Sequence, residues 1–131
     1  MKITADTNVL VRALVRDDPQ QAQIAADALL SASLVAVALP SLCELVWVLR
    51  RVYGFGAGDA AAAVRALMAA SNVQANRPAV DAGLAVLEAG GDFADGVIAY
   101  EGQWLGGDTF VSFDKQAVAL LQAQGQSARR L

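Results

Sequence analysis

The chain contains no histidine and a single cysteine, Cys43, among its 131 residues. Without histidine it lacks the commonest general base and the commonest soft-metal ligand. One thiol can close neither an internal disulfide nor a zinc site. Triads that join serine or cysteine to histidine are therefore excluded. Hydrolytic chemistry here has to be carried by carboxylates, with or without a hard cation held by oxygen. Long apolar runs are also missing. Leu34 to Leu39 and Leu45 to Leu49 fall far short of the ~20 apolar residues of a membrane-spanning helix. Asp6 interrupts the N-terminal segment before any apolar stretch of signal-peptide length, so the expectation is a cytoplasmic protein with no membrane partner.

Positive charge is in short supply. Lys plus Arg number 10 against 13 Asp plus Glu, a net charge of -3 with a pI near 4.7. That is the wrong sign for a protein that coats nucleic acid nonspecifically. A nucleic-acid role would need local compensation, from a basic patch or a bound metal. The arginines do cluster, as Arg12 with Arg16, Arg50 with Arg51 and Arg129 with Arg130.

What the chain has in quantity is apolar residues, 56% of the total. A chain this apolar buries enough surface to offset its ordering entropy, and its length suits one domain over 1–131. The same apolar surplus predicts a homodimer. Lys2 to Ala5 is extended and leads through Asp6-Thr7-Asn8 into a helix carrying Val9, Leu10, Val11 and Leu14. Asp18-Pro19 starts a second helix. Leu34 to Leu39 reads as a buried strand bounded by Pro40, and Ser41 to Val52 as a helix ending near Gly54. Helices follow over the alanine-rich stretch to Ala70, around Val80 to Leu87, over Asp92 to Trp104 and over Lys115 to Gln124. Strands are expected at Val73 to Ala75, Thr109 to Phe113 and Ser127 to Leu131. Strands alternating with helices give an α/β fold, a three-layer α/β/α sandwich around a central, mostly parallel sheet.

The carboxylates fall at informative places. Asp6 and Asp114 each follow an apolar strand, and the carboxyl ends of parallel strands form the crevice where ligands bind. Glu44 and Asp95 sit inside apolar helical sequence, where an ionised group is costly unless something positive pairs with it. Each acid has a local alternative. Asp6 and Asp114 can cap the helices that follow them, Ser41-x-x-Glu44 matches a capping box, and Asp92-x-x-Asp95 suits a helix start whose dipole favours acids. Four separate caps explain neither the apolar surroundings nor the equivalent strand ends. The joint alternative is a cluster that gathers Mg²⁺ or Mn²⁺, costly when empty and relieved by the cation, able to activate water against a phosphodiester.

Four segments carry a resemblance: Ala5-Asp6-Thr7-Asn8-Val9-Leu10-Val11-Arg12, Leu39-Pro40-Ser41-Leu42-Cys43-Glu44-Leu45-Val46-Trp47-Val48-Leu49, Asp92-Phe93-Ala94-Asp95-Gly96-Val97-Ile98-Ala99 and Thr109-Phe110-Val111-Ser112-Phe113-Asp114-Lys115. In this order they resemble the four acidic motifs of PIN-domain proteins, especially the VapC-type toxins of bacterial type II toxin–antitoxin pairs, and the likeness runs from Ile3 to about Leu121. It implies a small PIN-like α/β nuclease that cuts RNA with Mg²⁺ or Mn²⁺. The catalytic, metal-holding acids are then Asp6, Glu44, Asp95 and Asp114. Asn8 matches the residue that orders the first acid, Ser112 the hydroxyl that assists the metal, and Asp92 an auxiliary acid. It further implies a homodimer silenced by a cognate antitoxin whose basic side chain enters the acidic site. Gly96 departs from the larger residue common there and is expected to loosen its helix start.

Arg12, Arg51 and Lys115 are candidate phosphate contacts, set against plain solvated helix ends. Trp47 and Trp104 are expected in the core or in a dimer contact rather than under RNA bases. A different class of function is a non-catalytic module: a degenerate PIN-like fold that binds RNA, or a receiver-like signalling domain. A receiver needs paired acids after its first strand, and here Thr7 and Asn8 follow Asp6.

Overall fold

Ala5 is buried and Asp6 keeps an extended backbone (φ -73°, ψ 155°), so the chain passes from strand to helix across two residues. In the computed structural model, which describes Met1–Leu131, this is the join between β1 (Lys2–Thr4) and α1 (Thr7–Val15). Asp18 caps α2 (Pro19–Ser31), its carboxylate accepting from Gln21 N–H at 3.1 Å with Pro19 in the first turn, as its sequence predicts. Then come β2 (Leu34–Ala36), α3 (Leu39–Arg51), α4 (Ala57–Ala69) and β3 (Val73–Gln74). The strands pair in parallel in the order β1-β2-β3, with Ile3 opposite Val35 and Val35 opposite Val73. These elements form the first of two compact units, Met1–Asn76. Its core is Leu10, Val35, Leu42, Leu45, Leu49 and Val64, none of which reaches solvent.

Two local expectations change here. The strand ends at Ala36 and α3 begins at Leu39, before rather than after Pro40. Proline lacks only an N–H that the first turn leaves unbonded, so Pro40 opens the helix instead of closing the strand. The N-cap is consequently Ala38, and Ser41 lies inside the helix. There is no capping box.

The second unit, Arg77–Leu131, contains α5 (Arg77–Glu88), α6 (Phe93–Trp104), β4 (Phe110–Ser112), α7 (Lys115–Ala123) and β5 (Ala128–Arg130). β4 and β5 pair in parallel, Phe110 opposite Ala128 and Ser112 opposite Arg130. Val86, Ala99 and Leu121 form a buried cluster against which Phe110, Leu120 and Ala128 pack. The strand–helix alternation and the wholly parallel pairing bear out the expected α/β, PIN-like class. No helix is long and apolar enough to cross a membrane.

Close packing of α5 on α6 explains Gly96. A Cβ there would collide with the Ala82 carbonyl oxygen and lie 2.8 Å from Gly83 Cα. Gly96 therefore does not loosen the start of α6; it lets two helix backbones touch. Gly96→Ala is expected to cost about 1–3 kcal/mol, because backbone cannot move aside as a side-chain tip can. The midpoint of urea denaturation checks this.

Candidate active site

Each unit presents acids at the start of helices. In the first, Asp6 holds the N-cap position of α1, and its carbonyl accepts from Val9 and Leu10 N–H. Its exposed carboxylate makes no cap bond, so the capping alternative for this side chain is not realised. The next residue, Thr7, is buried, and its Oγ1 donates to Glu44 Oε2 at 2.8 Å. Glu44 is exposed along its helix rather than enclosed in apolar surroundings, and this hydroxyl fixes where its carboxylate lies. Thr7 was not among the residues that sequence reasoning selects. Its one signal is a hydroxyl directly after a strand-end acid.

Asn8 is exposed and lines a groove between α1 and α2 with Val9, Arg12, Gln21 and Ile24. Arg12 already holds an ion pair at its partly exposed position. Its guanidinium pairs with Asp17 Oδ1 at 2.7 Å, while Tyr53 Oη–H donates to Asp17 Oδ2 at 3.0 Å. Burial alone would push the Asp17 carboxyl up. The Tyr53 hydrogen bond and the Arg12 charge outweigh it and hold Asp17 below the usual carboxylate range. Arg51 ends α3, exposed and without an ion pair.

In the second unit Asp92 occupies the N-cap position of α6, again with no side-chain cap bond. Asp95 lies in the first turn, half-buried, and its carboxylate has no hydrogen-bond or ionic partner. Burial first, then the like charges of Asp92 and Asp114, hold its carboxyl above the usual range. Asp114 does cap α7: its Oδ1 accepts from the N–H groups of Gln116 and Ala117 at 3.0 and 3.2 Å. Ser112 Oγ accepts from Asp114 N–H at 2.9 Å, so this hydroxyl positions the acid. Lys115 stands exposed at the first residue of α7.

Trp47 and Trp104 are 59% and 77% exposed, so the chain's own core does not hold them. Nor are three or more acidic or thiol side chains drawn together into a ready cation cage. The donor chemistry nevertheless suits a hard divalent ion. Asp92 and Asp114 both act on Asp95 electrostatically, and the three offer only carboxylate oxygen and hold no ion pair.

The shift at Asp95 has a definite consequence for stability. A carboxyl whose folded-state pKa is raised favours its proton more in the folded chain than in the unfolded one, so ionising it costs the fold. The penalty is complete above the folded pKa and fades as the pH falls through it toward the unfolded value. Metal-free Asp95→Asn is expected to melt slightly higher than the parent at pH 7, with the gap closing as the pH enters the carboxylate range. Thermal melts across pH check the sign.

The PIN domain family model matches residues 3–120, which span every residue just described. No curated protein matches the chain.

Proposed function

From the premise that the chain belongs to the PIN domain family, we propose that it is a Mg²⁺- or Mn²⁺-dependent endoribonuclease and the toxin of a toxin–antitoxin pair. PIN domains are generally nucleases. The observation that carries the proposal is that three acids at helix starts, Asp6, Asp92 and Asp95, make neither a side-chain cap bond nor an ion pair. Carboxylates outside local bonding are open to a ligand.

In this reading 1–131 is one PIN domain, and Asp6, Glu44, Asp95 and Asp114 hold the cation, with Asp92 in support. When bound, the ion polarises the scissile phosphate and lowers the pKa of a water for in-line attack. The protein's own contribution is orientation. Thr7 holds Glu44 through one carboxylate oxygen, while Ser112 and the first turn of α7 hold Asp114. Asn8 borders Asp6. Arg51 and Lys115 supply positive charge toward phosphate, as does Arg12 through the donors its pair with Asp17 leaves open. The partners follow from the same chemistry. An antitoxin segment would set Arg or Lys among the carboxylates, where a guanidinium can bind two oxygens at once. Exposed apolar side chains such as Ile24, Leu30 and Trp47 support a homodimer.

The test is cleavage of single-stranded RNA by the purified chain. Cleavage is expected with Mg²⁺ or Mn²⁺ and is expected to stop on adding EDTA. Folded, pure protein that leaves RNA intact in both metals overturns the enzyme in favour of a non-catalytic RNA-binding module.

A further inference from the structure

Phe113 leaves 79% of its surface in water, although it is not part of a loose loop. The residues on either side of it are tied together, Ser112 Oγ accepting from Asp114 N–H while Asp114 Oδ1 caps α7. An exposed ring is thus presented from a held turn, directly beside an acid of the proposed site. β5 supplies the second component. Ser112 and Arg130 are opposite one another in the β4–β5 ladder, and Leu131 N–H donates to the Ser112 carbonyl at 3.0 Å. Register partners share a sheet face, so Arg130 leaves the sheet on the face of Ser112, two residues from Asp114. Arg130 and Lys115 are both exposed and hold no ion pair.

We propose that this corner is the RNA-binding rim of the site, shaped for an unpaired nucleotide, with Phe113 stacking on a base and Arg130 and Lys115 holding the neighbouring phosphates. The proposal rests on the nuclease reading and adds to it the residues of this chain that grip an unpaired strand. A base within a duplex has no free face for a ring, whereas an unstacked base does. The unpaired cations next to Phe113 along the chain and across the ladder, Lys115 two residues on and Arg130 opposite Ser112, argue against a second protein copy as the occupant, since the core of a protein interface is depleted of charge. The two cations also give phosphate a local positive contact despite the chain's net charge of -3.

Binding of a labelled single-stranded RNA to the full chain in EDTA isolates the rim from the chemistry. Fluorescence anisotropy is read across a salt series, beside a hairpin duplex of equal composition. The single strand is expected to bind more tightly than the duplex. Phe113→Ala should weaken it about tenfold and Phe113→Trp restore it. Arg130→Gln should weaken binding and lower the salt slope by about 0.7, the share of one phosphate contact on a single strand. In Mg²⁺ both losses should raise KM more than they lower kcat. Affinity unchanged in Phe113→Ala and Arg130→Gln, with the parent still cleaving RNA, overturns the rim and leaves the nuclease reading standing. Equal binding of duplex and single strand overturns it as well. Loss of a dimer in Phe113→Ala by light scattering, with RNA affinity intact, assigns the ring to a second copy and has the same effect. A parent that never cleaves but binds single strands through Phe113 upholds the rim and refutes the nuclease.

Discussion

Replacing Asp6 by asparagine is expected to lower Mg²⁺-dependent RNA cleavage by about a hundredfold or more, with the folded structure unchanged. The geometry makes this a clean substitution. The Asp6 carboxylate caps no helix, and the bonds that start α1 run to the backbone carbonyl of residue 6, which asparagine retains. What is removed is one negative charge and, in the proposed reading, one strong oxygen ligand for a hard cation. Affinity for Mg²⁺, read by titration of thermal stability, should fall together with cleavage, because a cation that binds only the folded state raises Tm. Full cleavage by folded, pure Asp6→Asn protein would sink the assignment of this acid. Asp114→Asn is a useful contrast. It too should lower cleavage, but Asp114 also caps α7, so this variant carries a change at the helix start that Asp6→Asn does not.

The largest effect on stability is expected at Phe93. Its side chain is 2% exposed, and its ring lies where a Cβ on Gly83 would come within 2.6 Å. Phe93→Ala should cost about 3–5 kcal/mol, combining the lost transfer energy of the ring with the cavity it leaves. Glycine at 83 has no side chain to move into that space. Phe93 is also the first residue of α6, next to Asp92 and two before Asp95. Losing the anchor should therefore disturb the acids as well as the core. Urea denaturation measures the first effect. Cleavage by the fraction still folded measures the second, which should exceed the effect of an equally buried truncation in the first unit, such as Leu49→Ala. Phe93→Leu should recover much of both, since apolar volume is the main requirement.

The alternation of strands and helices, the all-parallel pairing and the acids at strand ends and helix starts are all legible in the sequence. They depend on hydrophobic period and capping chemistry, which act within a few residues. Asp18 ahead of Pro19 and Asp114 ahead of Lys115 cap their helices as their local sequence indicates. The same signal fails at Asp6 and Asp92, which stand at N-cap positions without capping. It fails again at Ser41 and Glu44, where Pro40 had already opened the helix. Tertiary structure alone assigned the partners. Thr7 reaches Glu44 across 37 positions and Tyr53 reaches Asp17 across 36, so a buried threonine becomes a support for an acid and the Arg12–Asp17 pair gains a third member. It likewise turned Gly96 from a weak point into a contact between backbones, and set Arg130 opposite Ser112. Such pairings are decided by which helix faces and strand edges pack together, and that packing energy is shared among residues far apart in the chain, where no local pattern records it.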